Sequence, residues 1–449
     1  MKTVQVEEAV NSSTLRPGAR IYCAGNAATP QVLLKRLWED RDIQDVEMLS
    51  TLLLGDVAPL FGDEVCRRLT HRIIFNGHHS RKAVNEGKAR YQILHLSDIP
   101  RQLRNHLKPD VVLLTVAGPD NGGNYSLGTT VEAVLAAVYT ARENNGIVIA
   151  ERNRRMPFVL GTTIHENDID FLVDSDYDLP LSPVKKPDER AQKIADIIAN
   201  LFVTDGCTLQ YGIGEVPEAV TESIIRNGTR DLGIRTELFS DAMRKLVEKG
   251  LVTNRYLTNR FSIATVFLSS SRAGYDWYHY NSSLQSRPSD RTNGILHIAS
   301  EHKMVAINSA LGVDLHGNIW ADSLQARNIY SGVGGQADFL RGAYLSEGGI
   351  PIIALKSTTR DLSKIVDKSP EGITTTAIPA DPVVIVTEYG AFDPRGLSIT
   401  EHAVGIAHLA APEHKEKLLK HIFESSVFNK PATVMRGGRP KGFTPYEAI

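Results

Sequence analysis

Long hydrophobic runs, clustered cysteines and an excess of one charge are all missing from this 449-residue sequence. No run of about 18 apolar residues occurs, so we expect no segment that spans a membrane. The three cysteines, Cys23, Cys66 and Cys207, lie far apart, which argues against a disulfide framework and for a reducing compartment. Fifty basic residues nearly balance fifty-two acidic ones, so no general attraction to nucleic acid or membrane is expected. The composition therefore predicts a soluble cytoplasmic protein.

Several common catalytic motifs are missing as well. The sequence contains no HExxH, paired CxxC or GxSxG motif, and its 14 histidines form no set with metal-ligand spacing. The stretch that begins at Gly212 and Gly214 resembles a dinucleotide fingerprint only superficially, because Pro217 replaces the third glycine. We therefore expect neither a metal ion nor a nicotinamide cofactor.

The fold class can be predicted from alternating segments. Residues 20–25, 110–116 and 146–150 have the composition of strands, whereas residues 30–38 and 131–142 have that of helices. This repeated alternation predicts an α/β fold with mainly parallel sheets. A length of 449 residues is also too great for one ordinary core and predicts more than one domain.

A division into two related halves is indicated by the prolines and by weak repeats. Residues 179–187 contain three prolines and are the best candidate for a linker. Residues 25–30 and 212–217 each follow a predicted strand and run from a glycine to a proline that begins a helix. We therefore expect two similar open α/β domains, at residues 1–182 and 188–449.

Two glycine-rich turns are candidates for binding an anionic ligand. Residues 331–343 begin with three closely spaced glycines, at positions 332, 334 and 335, which let the backbone approach a ligand closely. Residues 212–214 lie between a predicted strand and a helix, where open α/β sheets bind ligands. Either stretch can also be a purely structural turn.

Glu237 is the candidate nucleophile. It ends a predicted strand over residues 232–237 and precedes a helix that Ser240 or Asp241 can cap. The helix dipole favours an ionised carboxylate at this position, and a poorly solvated carboxylate can act as a nucleophile. The alternative is a structural ion pair with a nearby arginine or lysine.

Several long segments resemble the acetyl-CoA hydrolase and 4-hydroxybutyrate CoA-transferase family. In chain order they are GCTLQYGIGEVPEAV at 206–220, AINSALGVDLHG at 306–317, YSGVGGQADFLRGA at 330–343 and VTEYG at 386–390. The family pattern around the nucleophile, HTEM followed by SDG, corresponds here to RTELFSDA at 235–242. The sequence thus departs from the family pattern at Arg235 and Ala242.

This resemblance implies a reaction and a set of site residues. Glu237 is expected to form a covalent glutamyl-CoA thioester, with Asn308, Gly334 and Gly335 as further catalytic residues. Backbone donors at Ile213 and Gly214 are expected to face the developing oxyanion. The residues expected to contact CoA are Gly212, Ile213, Gly214, Gly332, Val333, Gln336, Lys356 and Lys364. Two similar halves are expected to enclose the site, and the protein is expected to form a homo-oligomer.

The acyl group is expected to contact the first half near Gly25, Asn26 and Ala27. Arg235 adds a positive charge two residues before the nucleophile, which predicts a dicarboxylate such as itaconate as acceptor and succinyl-CoA as donor. Arg235 can instead form a structural ion pair. The alternatives are a 4-hydroxybutyrate, butyrate or acetate transferase, an acyl-CoA hydrolase, and a non-catalytic acyl-CoA sensor.

Overall fold

Two open β-sheets, one from each half of the chain, form the frame of the protein in a computed structural model that describes residues 1–325, 328–428 and 439–449. The first sheet has eight strands, and all of its pairings are parallel. In spatial order they are Lys2–Thr3, Phe171–Ser175, Ile147–Asn153, Val111–Val116, Arg20–Cys23, Val46–Ser50, Leu69–Ile73 and Arg90–Tyr91. All six residues of Val111–Val116 are buried, as expected for a central strand covered on both faces.

The second sheet has seven strands: the first five are parallel to one another, and the last two are added through antiparallel pairings. In spatial order they are Gly233–Ile234, Thr208–Tyr211, Met304–Asn308, Ile350–Ala354, Val384–Thr387, Gly390–Phe392 and Phe443–Pro445. The two sheets confirm the predicted α/β class with mainly parallel sheets.

Helices cover the sheets, and capping or glycine residues mark some of their ends. For example, Asp188 accepts a hydrogen bond from the Ala191 N–H at one helix start, and Gly228 in the left-handed conformation ends the next helix. The helices of seven or more residues are Gln31–Glu39, Val134–Glu143, Glu189–Leu201, Glu215–Asn227, Asp241–Glu248, Arg272–Tyr278, Gln336–Leu345, Ile399–His408 and Pro412–Glu424.

Shorter elements connect the main ones. The short helices are Val6–Ala9, Ala58–Phe61, Asp63–Arg68, Arg81–Asn85, Leu96–Asp98, Ile99–Gln102, Leu103–Leu107, Glu166–Asp168, Ser289–Thr292, Ile295–Ala299 and Tyr446–Ala448. The short strands are Asn124–Ser126, Thr163–His165, Leu238–Phe239, Ser262–Ala264, Val266–Phe267, Leu284–Ser286, Gly312–Asp314, Ile319–Trp320, Ser323–Gln325, Asn328–Ile329, Thr358–Thr359, Leu362–Ser363 and Ile365–Val366. Among the described residues, no helix combines the length and the apolar character that crossing a bilayer requires.

One apolar core contains side chains from both halves of the chain. Met156 and Phe158 from the first half belong to the same buried cluster as Tyr211 and Phe239 from the second. The predicted linker lies in residues 176–188, which form neither helix nor strand. The division of the chain into two domains stays a prediction, because this shared core joins them.

Each sheet has a switch point, where the next strand of the chain is added on the opposite side of the sheet from the one before it. In the first sheet, strand Arg20–Cys23 has its successor Val46–Ser50 on one side and Val111–Val116 on the other. In the second sheet, Thr208–Tyr211 lies between Gly233–Ile234 and Met304–Asn308. Loops that follow the strands at such points diverge and leave a crevice, where α/β proteins bind ligands.

Candidate active site

A cavity of about 640 Å³ lies at the switch point of the second sheet and contains the side chain of Glu237. Phe75 from the first half closes one side of it. Every residue predicted for catalysis or CoA binding lines this cavity: Glu237, Asn308, Gly212, Ile213, Gly214, Gly332, Val333, Gly334, Gly335, Gln336, Lys356 and Lys364. The structure thus brings together segments that lie more than a hundred residues apart in the sequence.

The backbone of Glu237 is fixed by a neighbouring strand. Its carbonyl oxygen accepts hydrogen bonds from the N–H groups of Thr265, at 3.1 Å, and Val266, at 3.0 Å. The strand predicted over residues 232–237 is shorter in the structure and covers only Gly233–Ile234. Glu237 therefore lies in a loop between two strands, and its side chain can turn into the cavity.

The carboxylate of Glu237 is held by uncharged donors. The Nδ2 atom of Asn293 donates to Oε2 at 2.9 Å, and the Gly335 N–H donates as well. No arginine or lysine of the described residues pairs with it. Burial and, to a smaller extent, the negative charge of Asp338 raise the pKa of Glu237 to about 7, although the two donors act to lower it. Near neutral pH the group is therefore available as an anion that no neighbouring cation neutralises.

The glycine loop at residues 332–335 requires glycine for close approach. A Cβ atom at Gly335 would lie 2.1 Å from Oε2 of Glu237. Gly334 has φ +59, and its carbonyl accepts a hydrogen bond from the Leu96 N–H at 3.0 Å. A Cβ atom at Gly332 would lie 2.6 Å from the carbonyl oxygen of Ile74. The first half of the chain therefore holds this loop against Glu237.

The turn at residues 212–214 leaves open space above its backbone. No atom lies within 4 Å of a Cβ built at Gly212 or at Gly214, and Gly214 has φ +125. Beside it, Asn308 ends its strand and donates to Oε1 of Gln210 at 3.0 Å. The cavity therefore has room for a ligand along this turn.

The two predicted lysines differ in their surroundings. Lys356 contacts Asp188 at 2.8 Å and also pairs with Glu215, so its charge is already neutralised. Lys364 pairs with no carboxylate of the described residues, and burial together with Lys356 and Arg190 lowers its pKa. Lys364 is therefore the better of the two for an anionic ligand.

The first-half residues predicted to contact the acyl group do not line this cavity. A Cβ at Gly25 would lie 2.4 Å from Oγ1 of Thr51, so this glycine is needed for packing. Asn26, with φ +51, donates from Nδ2 to Oε1 of Glu132 at 2.9 Å, and Ala27 belongs to the shared core. Of these residues, Asn26 is linked to the site through Glu132, whose charge interacts with that of Glu237.

Arg235 also lies outside the cavity of Glu237, which corrects the expectation that the two share a face. The backbone at residue 235 still bridges to Ile263, but no strand continues through residues 236 and 237, so the alternation that would place Arg235 and Glu237 on one face does not hold. It is 4% exposed, and its Nη2 atom lies 2.7 Å from Oε1 of Glu301. This placement matches the alternative of a structural ion pair.

Three residues near Glu237 were missed by the sequence analysis. Asn293 lies 56 positions from Glu237 and belongs to no motif. Asp338 accepts a hydrogen bond from the Ser97 hydroxyl at 2.8 Å, and burial raises its pKa to about 7. Burial and the charge of Glu237 likewise raise the pKa of Glu132 to about 7. Of these three residues, only Asp338 could have been identified from the sequence, since it lies in the glycine-rich segment at residues 331–343.

Comparisons with known proteins agree with this geometry. A family model described as the acetyl-CoA hydrolase/transferase N-terminal domain matches residues 1–181, and the corresponding C-terminal domain matches residues 271–422. A succinyl-CoA:acetate/propanoyl-CoA:succinate CoA transferase of Fasciola hepatica is 35% identical over 91% of this chain and 86% of its own. A 4-hydroxybutyrate coenzyme A transferase of Clostridium kluyveri is 33% identical over 93% and 96%.

Solved structures show the same fold. RipA from Yersinia pestis has a TM-score of 0.85 and 29% identity, covering 94% of this chain and 97% of its own. A 4-hydroxybutyrate CoA-transferase from Porphyromonas gingivalis has a TM-score of 0.78 and 27% identity over the same shares of the two chains, 94% and 97%. The fold and the site thus define an enzyme of the CoA-transferase class. The chain belongs to the acetyl-CoA hydrolase/transferase family, which confirms the resemblance noted in its sequence.

Proposed function

We propose that this enzyme moves CoA from an acyl-CoA to a free carboxylate through a thioester on Glu237. The observation that carries the proposal is the state of the Glu237 carboxylate. It lies in a cavity between loops, receives hydrogen bonds from Asn293 and Gly335, and pairs with no cation of the described residues. An anion held in this way keeps its nucleophilicity, because no positive charge draws on its electrons.

The first half-reaction loads CoA onto the enzyme. A carboxylate oxygen of Glu237 attacks the thioester carbonyl of the acyl-CoA, and the C–S bond breaks to give an acyl-glutamyl anhydride and CoA thiolate. The thiolate then attacks the glutamyl carbonyl and expels the acyl group as a carboxylate. The product is a Glu237–CoA thioester, and no proton needs to be moved.

The second half-reaction reverses these steps with a different acid. The incoming carboxylate attacks the glutamyl thioester and expels CoA thiolate, which gives a new anhydride. The thiolate then attacks the acyl carbonyl of that anhydride, which yields the new acyl-CoA and the free Glu237 carboxylate. The energy of the thioester is kept as long as water does not intervene.

Each attack develops negative charge on a carbonyl oxygen. The N–H of Gly335 and the amide of Asn308 both line the cavity and are our candidates for stabilising it. The Nε2 atom of Gln336 is buried, lines the same cavity and has no hydrogen-bond partner in the described part of the chain. It is thus free to donate to the thioester or to the pantetheine amides. One such donor is typically worth ~3–4 kcal/mol of barrier.

For the acceptor we propose a dicarboxylate, with itaconate as the example and succinyl-CoA as donor. The support is the unpaired Lys364 in the cavity, which can meet a second carboxylate, and the succinyl-CoA named for the Fasciola hepatica relative. Arg235 contributes nothing to this preference, since it lies elsewhere. A comparison of kcat/KM for itaconate, succinate, 4-hydroxybutyrate and butyrate tests it, and a strong preference for butyrate would contradict it.

Intact-mass analysis after mixing with acyl-CoA tests the covalent intermediate. We expect a mass increase of one CoA minus one water, which peptide mapping places on Glu237. Glu237→Ala should abolish the adduct, whereas the exposed Glu222→Ala should retain it. An adduct that persists in Glu237→Ala would refute the proposal. Loss of acyl-CoA without a new acyl-CoA, when a free acid is supplied, would indicate a hydrolase instead.

A further inference from the structure

A second cavity, of about 510 Å³, lies apart from the one that contains Glu237. Its polar lining consists mainly of cationic and hydroxyl side chains: Arg235, Arg287, Arg291, His297, Thr162 and Thr163. Among the described residues that line it, none is an aspartate or a glutamate. The wall of this cavity therefore carries charge of one sign.

The positive charge of the cavity is only partly neutralised. Arg235 pairs with Glu301, whose Oε1 atom lies 2.7 Å from Nη2 of the arginine. Arg287 and Arg291 have no carboxylate within ion-pair distance in the described part of the chain; Arg287 contacts the amide oxygen of Gln285 instead. Two guanidinium groups thus remain without a counter-charge beside a third that is almost fully buried.

Burial and the excess of positive charge lower the pKa values of two groups in the cavity wall. Burial and the charge of Arg235 lower the pKa of the Arg287 guanidinium. Burial, Arg235 and Arg291 lower the pKa of His297, whereas Asp290 and Glu301 act in the opposite direction. Cations held this close repel one another, and a bound anion removes that repulsion.

We propose that this cavity is a second ligand site, which binds a small anion with two or more negative charges on phosphate or carboxylate groups. Guanidinium groups form bidentate hydrogen bonds with both kinds of group. Arg287 and Arg291 supply the charge, and the hydroxyl group of Thr163 lies at the same wall as a neutral donor. The hydroxyl group of Thr162 already donates to the carbonyl of Ser286 at 3.0 Å. Leu135 and Ile263 give the cavity an apolar side, which suits the carbon skeleton of an organic anion.

The second cavity is separate from the active site, but residues that line it lie two positions from active-site residues in the sequence. An Nη1 atom of Arg235 donates to the carbonyl of Arg291 at 3.0 Å, which ties the two segments together. Two residues further along each segment stand Glu237 and Asn293, which are hydrogen-bonded to each other at 2.9 Å. The wall that would hold the anion is therefore built from the same two segments that hold the nucleophile.

Calorimetric titration of the full chain with inorganic pyrophosphate, at constant ionic strength, tests the proposal. We expect one binding site, and Arg291→Gln should weaken its affinity by at least about tenfold through loss of a charge-assisted contact. Arg291 is exposed, so its replacement should leave the fold intact. Arg16→Gln is the matched control, because Arg16 is also exposed and pairs with no carboxylate of the described residues.

The arms of the experiment separate the ligand classes and the two cavities. A parallel titration with citrate shows whether carboxylate or phosphate groups are preferred, and tighter binding of either supports the site. Saturating CoA should leave pyrophosphate binding unchanged. Competition by CoA, equal binding by Arg291→Gln and wild type, or no binding of either anion would each overturn the proposal.

Discussion

A methyl group added at position 335 should disable Glu237, the proposed nucleophile, while leaving the fold intact. In Gly335→Ala the new Cβ atom would lie 2.1 Å from Oε2 of Glu237 and 2.0 Å from Nδ2 of Asn293. Real Cβ atoms do not approach other heavy atoms so closely, so both side chains must move away. The Glu237 carboxylate lines the cavity and has room to move into it, so the change should alter catalysis more than stability.

The size of the effect follows from the contacts that are lost. Displacement of the carboxylate breaks its hydrogen bond with Asn293 and weakens the one from the Gly335 N–H. A hydrogen bond to a charged group is worth about 1.5–3 kcal/mol. Loss of one donor to a developing oxyanion lowers kcat by about 10²–10³. We therefore expect kcat/KM for CoA transfer to fall by about 10²–10³ in Gly335→Ala.

Steady-state rates of CoA transfer, measured with thermal unfolding of the same samples, check this expectation. Gly122→Ala is the matched control, because a Cβ at Gly122 would meet the ends of two side chains at ordinary or slightly short distances, Asn124 at 3.1 Å and Asp120 at 3.4 Å. The control should keep both its activity and its Tm. Full activity in Gly335→Ala, or an equal loss of activity in Gly122→Ala, would refute the reasoning.

Three further results should follow from the surroundings of Glu237. In wild type, kcat/KM should fall about tenfold per pH unit as the pH drops below 7, because protonation removes the anionic nucleophile. Asn293→Ala removes a donor that lowers the pKa of Glu237, so the acid limb of this pH–rate profile should move to higher pH; an unmoved limb would contradict the assigned hydrogen bond. Glu237→Gln should raise stability at pH 8 but not at pH 5. The pKa of Glu237 in the folded protein, about 7, exceeds its ordinary value of 4.5. The wild-type protein therefore loses stability as the pH rises from 4.5 to about 7. The gain is at most about 3 kcal/mol in chemical denaturation, and equal stability of the two proteins at pH 8 would count against a buried charge.

The sequence identified the cavity because its signals are local. Glycines at Gly214 and Gly334 adopt positive φ angles where the chain must turn sharply, and such positions are recognisable from residue type alone. Apolar runs such as Val111–Val116 marked the central strands, because these are buried on both faces. The segments with the clearest motifs accordingly converge on Glu237.

The sequence failed where a contact depends on tertiary structure. The orientation of Arg235 rests on where its strand ends, and the predicted strand extended three residues beyond Ile234. Asn293 reaches Glu237 only because the helix Ser289–Thr292 ends beside it. Neither fact is encoded in residue type or spacing. A strand end shifted by a few residues was enough to assign Arg235 to the wrong cavity.

Glu237 and two acidic groups near it, Glu132 and Asp338, give a physical reason for the covalent intermediate that we propose. Burial raises the pKa of Glu132, Glu237 and Asp338 to about 7, and the charge of Asp338 acts directly on Glu237. Ionised Glu237 is therefore costly in these surroundings. Its conversion to a thioester transfers the negative charge to the expelled carboxylate, and once that product leaves the cavity the repulsion from Asp338 is relieved. The site thus disfavours the free carboxylate relative to its acylated forms, which lowers the energy needed to form them.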